Sequence, residues 1–186
     1  MSRQSRFRRA PLLLLCLGIF FHGSARPQEE VSLYDYALTD LQGKEVRLSP
    51  YKGKILVVDF FATWCSPCRK DLPEVAAIQD DYPSDQVAVL AISADGVSKS
   101  VEKLPGFIKE LGLKIPVFVG GGIFVDRFAG VEERNGRQIT LPQTYIFSRD
   151  GEILFRQVGD QKFKKKSLSR ELDRILKEGS PREAAP

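Results

Sequence analysis

The stretch KILVVDFFATWCSPCRKDLP, residues 54–73, constrains the fold of this chain more than any other part of the sequence. Its apolar run Ile55–Phe61 lacks the alternation of a half-exposed strand, which predicts a central strand covered on both faces. After two cysteines, Leu72, Val75 and Ile78 recur at helical spacing and predict a helix with one apolar side. The stretch therefore predicts a buried strand, a sharp turn that carries both cysteines, and a helix that begins in the second half of the turn.

The first cysteine of the turn, Cys65, is expected at the N-terminus of that helix. Free backbone N–H groups and the positive end of the helix dipole stabilise an anion there, and Arg69 and Lys70 add positive charge one turn away. Cysteines at such positions have pKa values between about 3.5 and 7.5, instead of about 8.5, and react as thiolates. Cys68 lies within reach of a disulfide with Cys65. We therefore expect Cys65 to attack a disulfide and Cys68 to resolve the product.

Three other interpretations of the cysteine pair are weaker. A structural zinc site needs four Cys or His ligands, and the remaining candidates, Cys16 and His22, lie in a predicted leader. A haem attachment site needs His after the second cysteine, where Arg69 stands. A purely structural disulfide across so short a loop would restrict the unfolded chain very little. A redox-active pair is the interpretation that remains.

The N-terminal residues have the pattern of a secretory signal. Four arginines precede the apolar run Leu12–Phe21, and the small residues 23–25 follow it, which predicts cleavage near Ala25. The run is about half the roughly 20 residues that span a bilayer, so an uncleaved membrane anchor is the second interpretation. We expect the protein to be secreted across the inner membrane and to be periplasmic or otherwise extracytoplasmic.

The charge balance excludes an obvious nucleic-acid-binding role. The chain has 28 basic and 24 acidic residues, but four of the basic ones lie in the predicted leader, so the rest is balanced. A nucleic-acid-binding domain would carry a basic surface or stripe. The only His and the only Met, His22 and Met1, also lie in the leader. The remaining chain therefore lacks the His and Met ligands typical of a copper carrier, and we expect no metal or other bound cofactor.

Turn and periodicity signals divide the chain into a signal peptide (1–25), a linker (26–32), one domain (33–178) and a disordered tail (179–186). Within the domain they predict a leading hairpin over 34–48, a second buried strand at Val87–Ser93 parallel to the first, an insert over 95–130, a closing hairpin around 149–151, and a final helix with Ser167 as its N-cap. The lysine-rich segment 162–166 is expected to be a solvated linker, with a docking patch for an acidic partner or anionic lipid as the alternative.

The chain resembles the thioredoxin fold, and more closely its TlpA/ResA-like extracytoplasmic branch, over about residues 31–176. The resemblance rests on FFATWCSPC, residues 60–68, together with the downstream Leu141-Pro142-Gln143-Thr144 before a strand. It implies an α/β fold with a central mixed sheet flanked by helices, an N-terminal β-hairpin and an insert before the closing strands. It also implies thiol-disulfide oxidoreductase activity through a Cys65–Cys68 disulfide.

The resemblance extends to the surface that binds substrate. Pro142 matches the family's cis-proline, which faces the active-site disulfide, and the backbone of Leu141 would pair with an extended substrate strand. An ordinary proline at a strand edge is the alternative for Pro142. Trp64, Ser66 and Pro67, in the turn itself, are the other expected substrate-binding residues.

Asp59 departs from many TlpA-like members. An acid in the middle of Ile55–Phe61 would be buried, which raises the pKa of a carboxyl group. It lies six residues before Cys65, where thioredoxin itself has a buried acid. Our hypothesis is that Asp59 accepts the proton of Cys68 during resolution, and the alternative is an Asp that faces solvent at a strand end.

The resemblance favours a dedicated reductant that receives electrons from a membrane thiol carrier. Its partners would be proteins such as apocytochrome c, in cytochrome c biogenesis, or copper-site assembly proteins. The residues do not decide the direction, because related dithiol proteins span about −270 to −120 mV. A dithiol oxidant, a peroxiredoxin-like peroxidase and a non-catalytic metal or haem-assembly module remain as alternatives.

Overall fold

A computed structural model describes residues 32–98, 101–129, 139–162 and 164–179. The strands are β1 (Leu38–Thr39), β2 (Glu45–Val46), β3 (Ile55–Phe61), β4 (Val87–Ser93), β5 (Val117–Gly120), β6 (Gln143–Phe147) and β7 (Ile153–Val158). The α-helices are α1 (Cys68–Ala76), α2 (Asp95–Ser98), α3 (Leu104–Leu111), α4 (Gly122–Phe128) and α5 (Lys164–Glu178). Short 3-10 helices cover Leu33–Asp35, Ser49–Tyr51, Ala77–Asp81 and Val101–Lys103.

The strands form one mixed sheet in the order β2-β1-β5-β4-β3-β6-β7. The three central strands β5, β4 and β3 are parallel, while β1 and β6 pair antiparallel with the outer two of them. The carboxyl ends of β3, β4 and β5 therefore meet at one edge of the sheet, where β6 begins. This edge carries the two-cysteine turn.

Alternation along β3 divides the core into two layers. Ile55, Val57 and Phe61 pack with α1, α3 and α5, whereas Leu56, Val58 and Phe60 pack with α4 and the N-terminal 3-10 helix. All seven residues of β3 are buried, as predicted for a central strand. By the same alternation, Asp59 projects into the layer that holds α1 and α5.

Most predicted elements are confirmed. The parallel strand–helix–strand unit, the insert before β6 and the closing hairpin are present, and Gly151 adopts a φ of 89° in that hairpin turn. The leading hairpin is shorter than predicted, because its strands have two residues each. Tyr34 lies instead in a 3-10 helix whose N-cap is Ser32, the Oγ of which accepts a hydrogen bond from the Tyr34 N–H at 3.3 Å.

The prediction for the start of the last helix was wrong. Helix α5 begins at Lys164, so Ser167 lies inside the helix and is not its N-cap. The interpretation of segment 162–166 as a solvated linker was also wrong for Lys164, whose side chain is fully buried. Its charge has carboxylate partners inside the core, described below, which compensate for the loss of solvent.

The predicted signal peptide with Cys16 and His22 lies outside the described residues, as do all but one residue of the predicted linker and of the tail. No helix in the described ranges is long and apolar enough to cross a membrane.

Candidate active site

The two cysteines lie at the junction of β3 and α1. The chain turns after Phe61, and the Cys65 N–H donates to the Ala62 carbonyl oxygen at 3.0 Å. Cys65 and Cys68 form a disulfide with their Cα atoms 5.3 Å apart. Cys65 is 5% exposed and Cys68 is fully buried. Cys65 is thus the sulfur nearer to solvent, and Cys68 lies behind it.

The helix N-terminus points at the sulfur of Cys65. Cys68 is the first residue of α1, and its backbone N–H donates to Cys65 Sγ at 3.3 Å. An N–H group at this end of a helix has no partner within the helix and carries partial positive charge. The predicted position of Cys65 at a helix N-terminus is confirmed, and an anionic Cys65 in the reduced protein stays a prediction that this geometry supports.

Arg69, the arginine next to the turn, interacts with two side chains of α3. Arg69 forms an ion pair with Glu110 of α3 at 2.5 Å, and its guanidinium lies 4.8 Å from the centroid of the Phe107 ring. Phe107 in turn stacks on Phe61 at 5.5 Å. Arg69 thus connects α3 of the insert to the active-site helix α1. Because its charge is partly neutralised by Glu110, it adds less positive potential near Cys65 than we expected.

The predicted substrate-binding residues meet at the same edge of the sheet. The Leu141–Pro142 peptide bond is cis, which agrees with the expectation for Pro142. β6 pairs with β3 as far as Gln143 opposite Phe60, so Pro142 lies level with the end of β3. The Pro142 carbonyl oxygen accepts from the Gly159 N–H at 2.8 Å.

The turn around Cys65 is open to solvent on its outer side. Trp64 is 54% exposed, and Ser66 and Pro67 are also exposed. Leu141 is half-buried and packs against both layers of the core. These residues could contact a polypeptide that approaches Cys65.

A buried aspartate that was not predicted from the sequence accepts hydrogen bonds from the first part of the two-cysteine turn. Asp95, at the start of α2, accepts hydrogen bonds from the Thr63 N–H at 2.9 Å, the Thr63 hydroxyl at 2.8 Å and the Ser93 hydroxyl at 2.6 Å. Because β3 and β4 are parallel, residues just beyond their ends become neighbours. A polar residue directly after the apolar run of β4 was the available signal.

Asp59 is fully buried, as predicted, and it has polar partners. Its Oδ1 accepts from the Thr144 hydroxyl at 2.5 Å and lies 3.5 Å from Lys164 Nζ. Its Oδ2 has no hydrogen-bond partner within the described part of the chain. Burial raises the pKa of Asp59 to about 6, although Lys164 and Thr144 oppose the shift.

A second buried carboxyl group, Asp71, shares the same lysine. Lys164 Nζ lies 3.0 Å from Asp71 Oδ2, and burial raises the pKa of Asp71 while Lys164 opposes the rise. Neither Asp71 nor Lys164 was predicted to be a functional residue. Both continue visible patterns, since Asp71 follows Cys68 by one helical turn and Lys164 precedes Leu168 by one.

No group of three or more His, Cys, Asp or Glu side chains that could hold a metal ion occurs among the described residues. The arrangement comprises a disulfide between Cys65, 5% exposed, and the fully buried Cys68, a helix N-terminus directed at the Cys65 sulfur, and a buried acid–base cluster of Asp59, Asp71 and Lys164. Such a site can exchange a dithiol with an external disulfide.

Comparison with known proteins agrees with this chemistry. Residues 31–156 match the AhpC/TSA family. The chain is 31% identical over 185 residues to thiol-disulfide oxidoreductase ResA of Geobacillus kaustophilus, which covers 94% of this chain and 99% of the relative. It is 29% identical over 182 residues to ResA of Bacillus thuringiensis subsp. konkukian, which covers 94% and 96%.

A solved structure is similar in fold. It is that of a Chlorobium tepidum protein assigned as thiol:disulfide interchange protein DsbE, with a TM-score of 0.64 and 25% identity over 78% of this chain and 95% of that one. The predicted resemblance and the predicted fold class, a mixed sheet flanked by helices in the thioredoxin fold, are confirmed.

Proposed function

This chain belongs to the AhpC/TSA family and is a thiol-disulfide oxidoreductase, and we propose that it works outside the cytoplasm, where it reduces disulfides in partner proteins. One observation carries the proposal. The Cys65 sulfur, which belongs to the less buried of the two cysteines, accepts the first N–H of α1, and the fully buried Cys68 is bonded to it. A nucleophile and a resolving thiol need this order of exposure.

In the first step, the Cys65 thiolate attacks one sulfur of a substrate disulfide. A Cys65–substrate disulfide forms, and the other substrate sulfur leaves with the bonding electron pair and takes a proton from solvent. The N–H of Cys68 stabilises the Cys65 thiolate before attack. The cis peptide at Pro142 and the backbone of Leu141 would hold the substrate strand beside the sulfur, with Trp64 in contact.

In the second step, the Cys68 thiol gives its proton to a buried carboxylate, and its sulfur attacks Cys65 Sγ. The Cys65–Cys68 disulfide forms, and the second substrate sulfur leaves and is protonated. The protein dithiol has then lost two electrons and the substrate disulfide has gained them. Asp59 is the proposed proton acceptor, because it is buried on the face of the sheet that packs against α1 and its Oδ2 accepts no hydrogen bond from any described residue.

We infer the location and partners from the leader and the resemblance. A secretory signal at residues 1–25 would place the domain where disulfides form, so the protein would need electrons from a membrane thiol donor to return to the dithiol state. Apocytochrome c and copper-site proteins are the proposed substrates, since both must present reduced cysteines to receive their cofactors.

A defined peptide tests both the activity and the substrate class. The reduced protein is mixed with a synthetic peptide whose disulfide closes a Cys-x-x-Cys-His sequence, the haem attachment pattern. We expect reduction of the peptide, and a trapped peptide–protein disulfide with Cys68→Ser but not with Cys65→Ser. Equal rates for a peptide with a different cysteine spacing would contradict the cytochrome c substrate, and no reduction of either peptide would contradict the reductant role.

The alternatives give different results in related assays. A peroxiredoxin-like peroxidase would consume peroxide rapidly as Cys68→Ser. A dithiol oxidant would, in its disulfide form, oxidise the reduced peptide faster than the dithiol form reduces the oxidised one. A metal-assembly module would bind copper stoichiometrically in the reduced state.

A further inference from the structure

Lys164 is the least expected charged residue in the core. Its side chain is fully buried at the first turn of α5, with Nζ 3.0 Å from Asp71 of α1 and 3.5 Å from Asp59 of β3. Asp59 is further held by the hydroxyl of Thr144 on β6. One ammonium thus connects carboxylates from two elements, and four elements of the fold meet at the cluster.

Stability alone is a weak explanation for this cluster. Removing an ammonium and two carboxylates from water is costly, and apolar residues of similar volume often stabilise a fold as well or better. The charges also do not balance, because the cluster has a net charge of −1 when both carboxyl groups are ionised. The cluster reaches neutrality by taking up one proton.

The Cys68 thiol, which would supply that proton, lies one helical turn before Asp71 on α1. Cys68 and Asp71 are both on the buried stripe of α1, three residues apart, which places their Cβ atoms about 5–6 Å from each other. Asp59 lies on the face of β3 that packs against α1, because Val57 and Phe61 on either side of it belong to that layer. The cluster therefore lies on the buried side of α1, on the same stripe as Cys68.

We propose that Lys164 is a positioning residue for resolution by Cys68: its ammonium holds Asp59 and Asp71 together on the buried side of α1 and favours the ionised form of the carboxylate that receives the Cys68 proton. The inference rests on the proposed dithiol exchange and concerns its second step. The Cys68 proton passes to the carboxylate, the sulfur forms its bond with Cys65 Sγ, and the substrate sulfur leaves with the electron pair. The uptake of that proton neutralises the cluster.

Other charged groups contribute less directly. Burial raises the pKa of both carboxyl groups, and for Asp59 the charges of Lys164 and Asp71 act in opposite directions. Glu74 on α1 and Asp160 before α5 also raise the pKa of Asp71. The adjacent Lys165 points elsewhere, to Asp81 at 2.8 Å. The positive charge of Lys164 lowers the pKa of both carboxyl groups and so opposes these effects.

The test compares Lys164→Met, which keeps length and removes charge, with Lys164→Arg, which keeps charge. Lys166→Met is the control, because Lys166 is an exposed lysine on the same turn of α5. Stopped-flow mixing of reduced protein with the disulfide peptide separates a concentration-dependent attack from a concentration-independent resolution. We expect Lys164→Met to move the pH midpoint of resolution upward by about one unit or more, with about tenfold slower resolution near pH 6.

Lys164→Arg should return the midpoint toward that of the unmodified protein, and Lys166→Met should leave it unchanged. A lower melting temperature of Lys164→Met with an unmoved midpoint would show that Lys164 is merely structural and would overturn the inference.

A second measurement needs no variant and no substrate. In the reduced, unmodified protein, the ¹³C signal of Lys164 Cε should shift as the Asp59 carboxyl titrates, because the ammonium lies 3.5 Å from that carboxyl group. A Lys164 signal that stays constant through the titration of Asp59 would overturn the inference even if Lys164→Met does not fold. If the unmodified protein reduces no peptide, the proposed function fails, while this titration still decides whether Lys164 and Asp59 are coupled.

Discussion

Replacing Asp59 with Asn should change how the stability of the protein depends on pH. Asn has nearly the shape of a protonated Asp but cannot ionise. Asp59 is fully buried, and its pKa is raised from 3.8 to about 6 in the folded state. The folded state therefore binds a proton that the unfolded state has already released over this pH range.

The size of the effect follows from the shift. Two pKa units correspond to about 3 kcal/mol, because each unit is worth about 1.4 kcal/mol. The contribution of Asp59 to the free energy of unfolding is fully present below the unfolded pKa of 3.8 and is lost as pH rises through about 6. We thus expect Asp59→Asn to match the unmodified protein near pH 4 and to be more stable by about 3 kcal/mol near pH 7.5.

Urea unfolding of the disulfide form at a series of pH values measures this difference. Asp85→Asn, at an exposed turn position, is the control and should follow the unmodified protein at every pH. A stability difference between Asp59→Asn and the unmodified protein that is the same near pH 4 and near pH 7.5 would refute the argument. It would mean that Asp59 keeps an ordinary pKa in spite of its burial.

Three further changes have expected outcomes. Thr63→Val removes the hydroxyl that donates to Asp95 at 2.8 Å and should lower the free energy of unfolding by about 1–3 kcal/mol in urea titrations, because the buried carboxylate loses a partner; equal stability would contradict this role. Gly120→Ala would place a Cβ 2.8 Å from Val125 Cγ2, so we expect the free energy of unfolding to fall by about 1–3 kcal/mol and the thermal midpoint to fall with it. An unchanged midpoint would show that α4 shifts to accommodate the added methyl group. Pro142→Ala should slow reduction of the disulfide peptide but leave alkylation of the nucleophilic cysteine unchanged, and a parallel fall in both rates would show that Pro142 maintains the turn and does not bind substrate.

The parts of the fold that depend on local pattern were predictable from the sequence. The uninterrupted apolar run of β3 and the helical spacing after it placed Cys65 and Cys68 at a strand–helix junction, since periodicity reports burial directly. The burial of Asp59 followed from its place within that run. The cis bond before Pro142 came from family position, because propensity alone does not predict it.

The residues that were missed owe their position to distant partners. Segment 162–166 contains four lysines, and although Lys164 lies one helical turn before Leu168, no residue near it in sequence identifies the carboxylates that allow its burial. Its hydrogen bond to Asp71 joins residues 93 positions apart. The Thr63–Asp95 contacts span 32 positions and depend on the register of β3 against β4. Periodicity shows which face of an element is buried, but not which polar residues on that face find a partner.

The two cysteines obtain their electrostatic environment from different parts of the fold. Arg69, one turn after Cys65 in sequence, is paired with Glu110 at 2.5 Å, and an exposed ion pair of this kind contributes little to the electrostatic potential at Cys65. The backbone N–H of Cys68 remains as the group aimed at the Cys65 sulfur. Cys68 shares the buried stripe of α1 with Asp71, and solvent screens buried charges far less. Because Arg69 and the cluster of Asp59, Asp71 and Lys164 are separate groups of side chains, substitutions in the buried cluster should change the rate of resolution with little effect on the rate of attack.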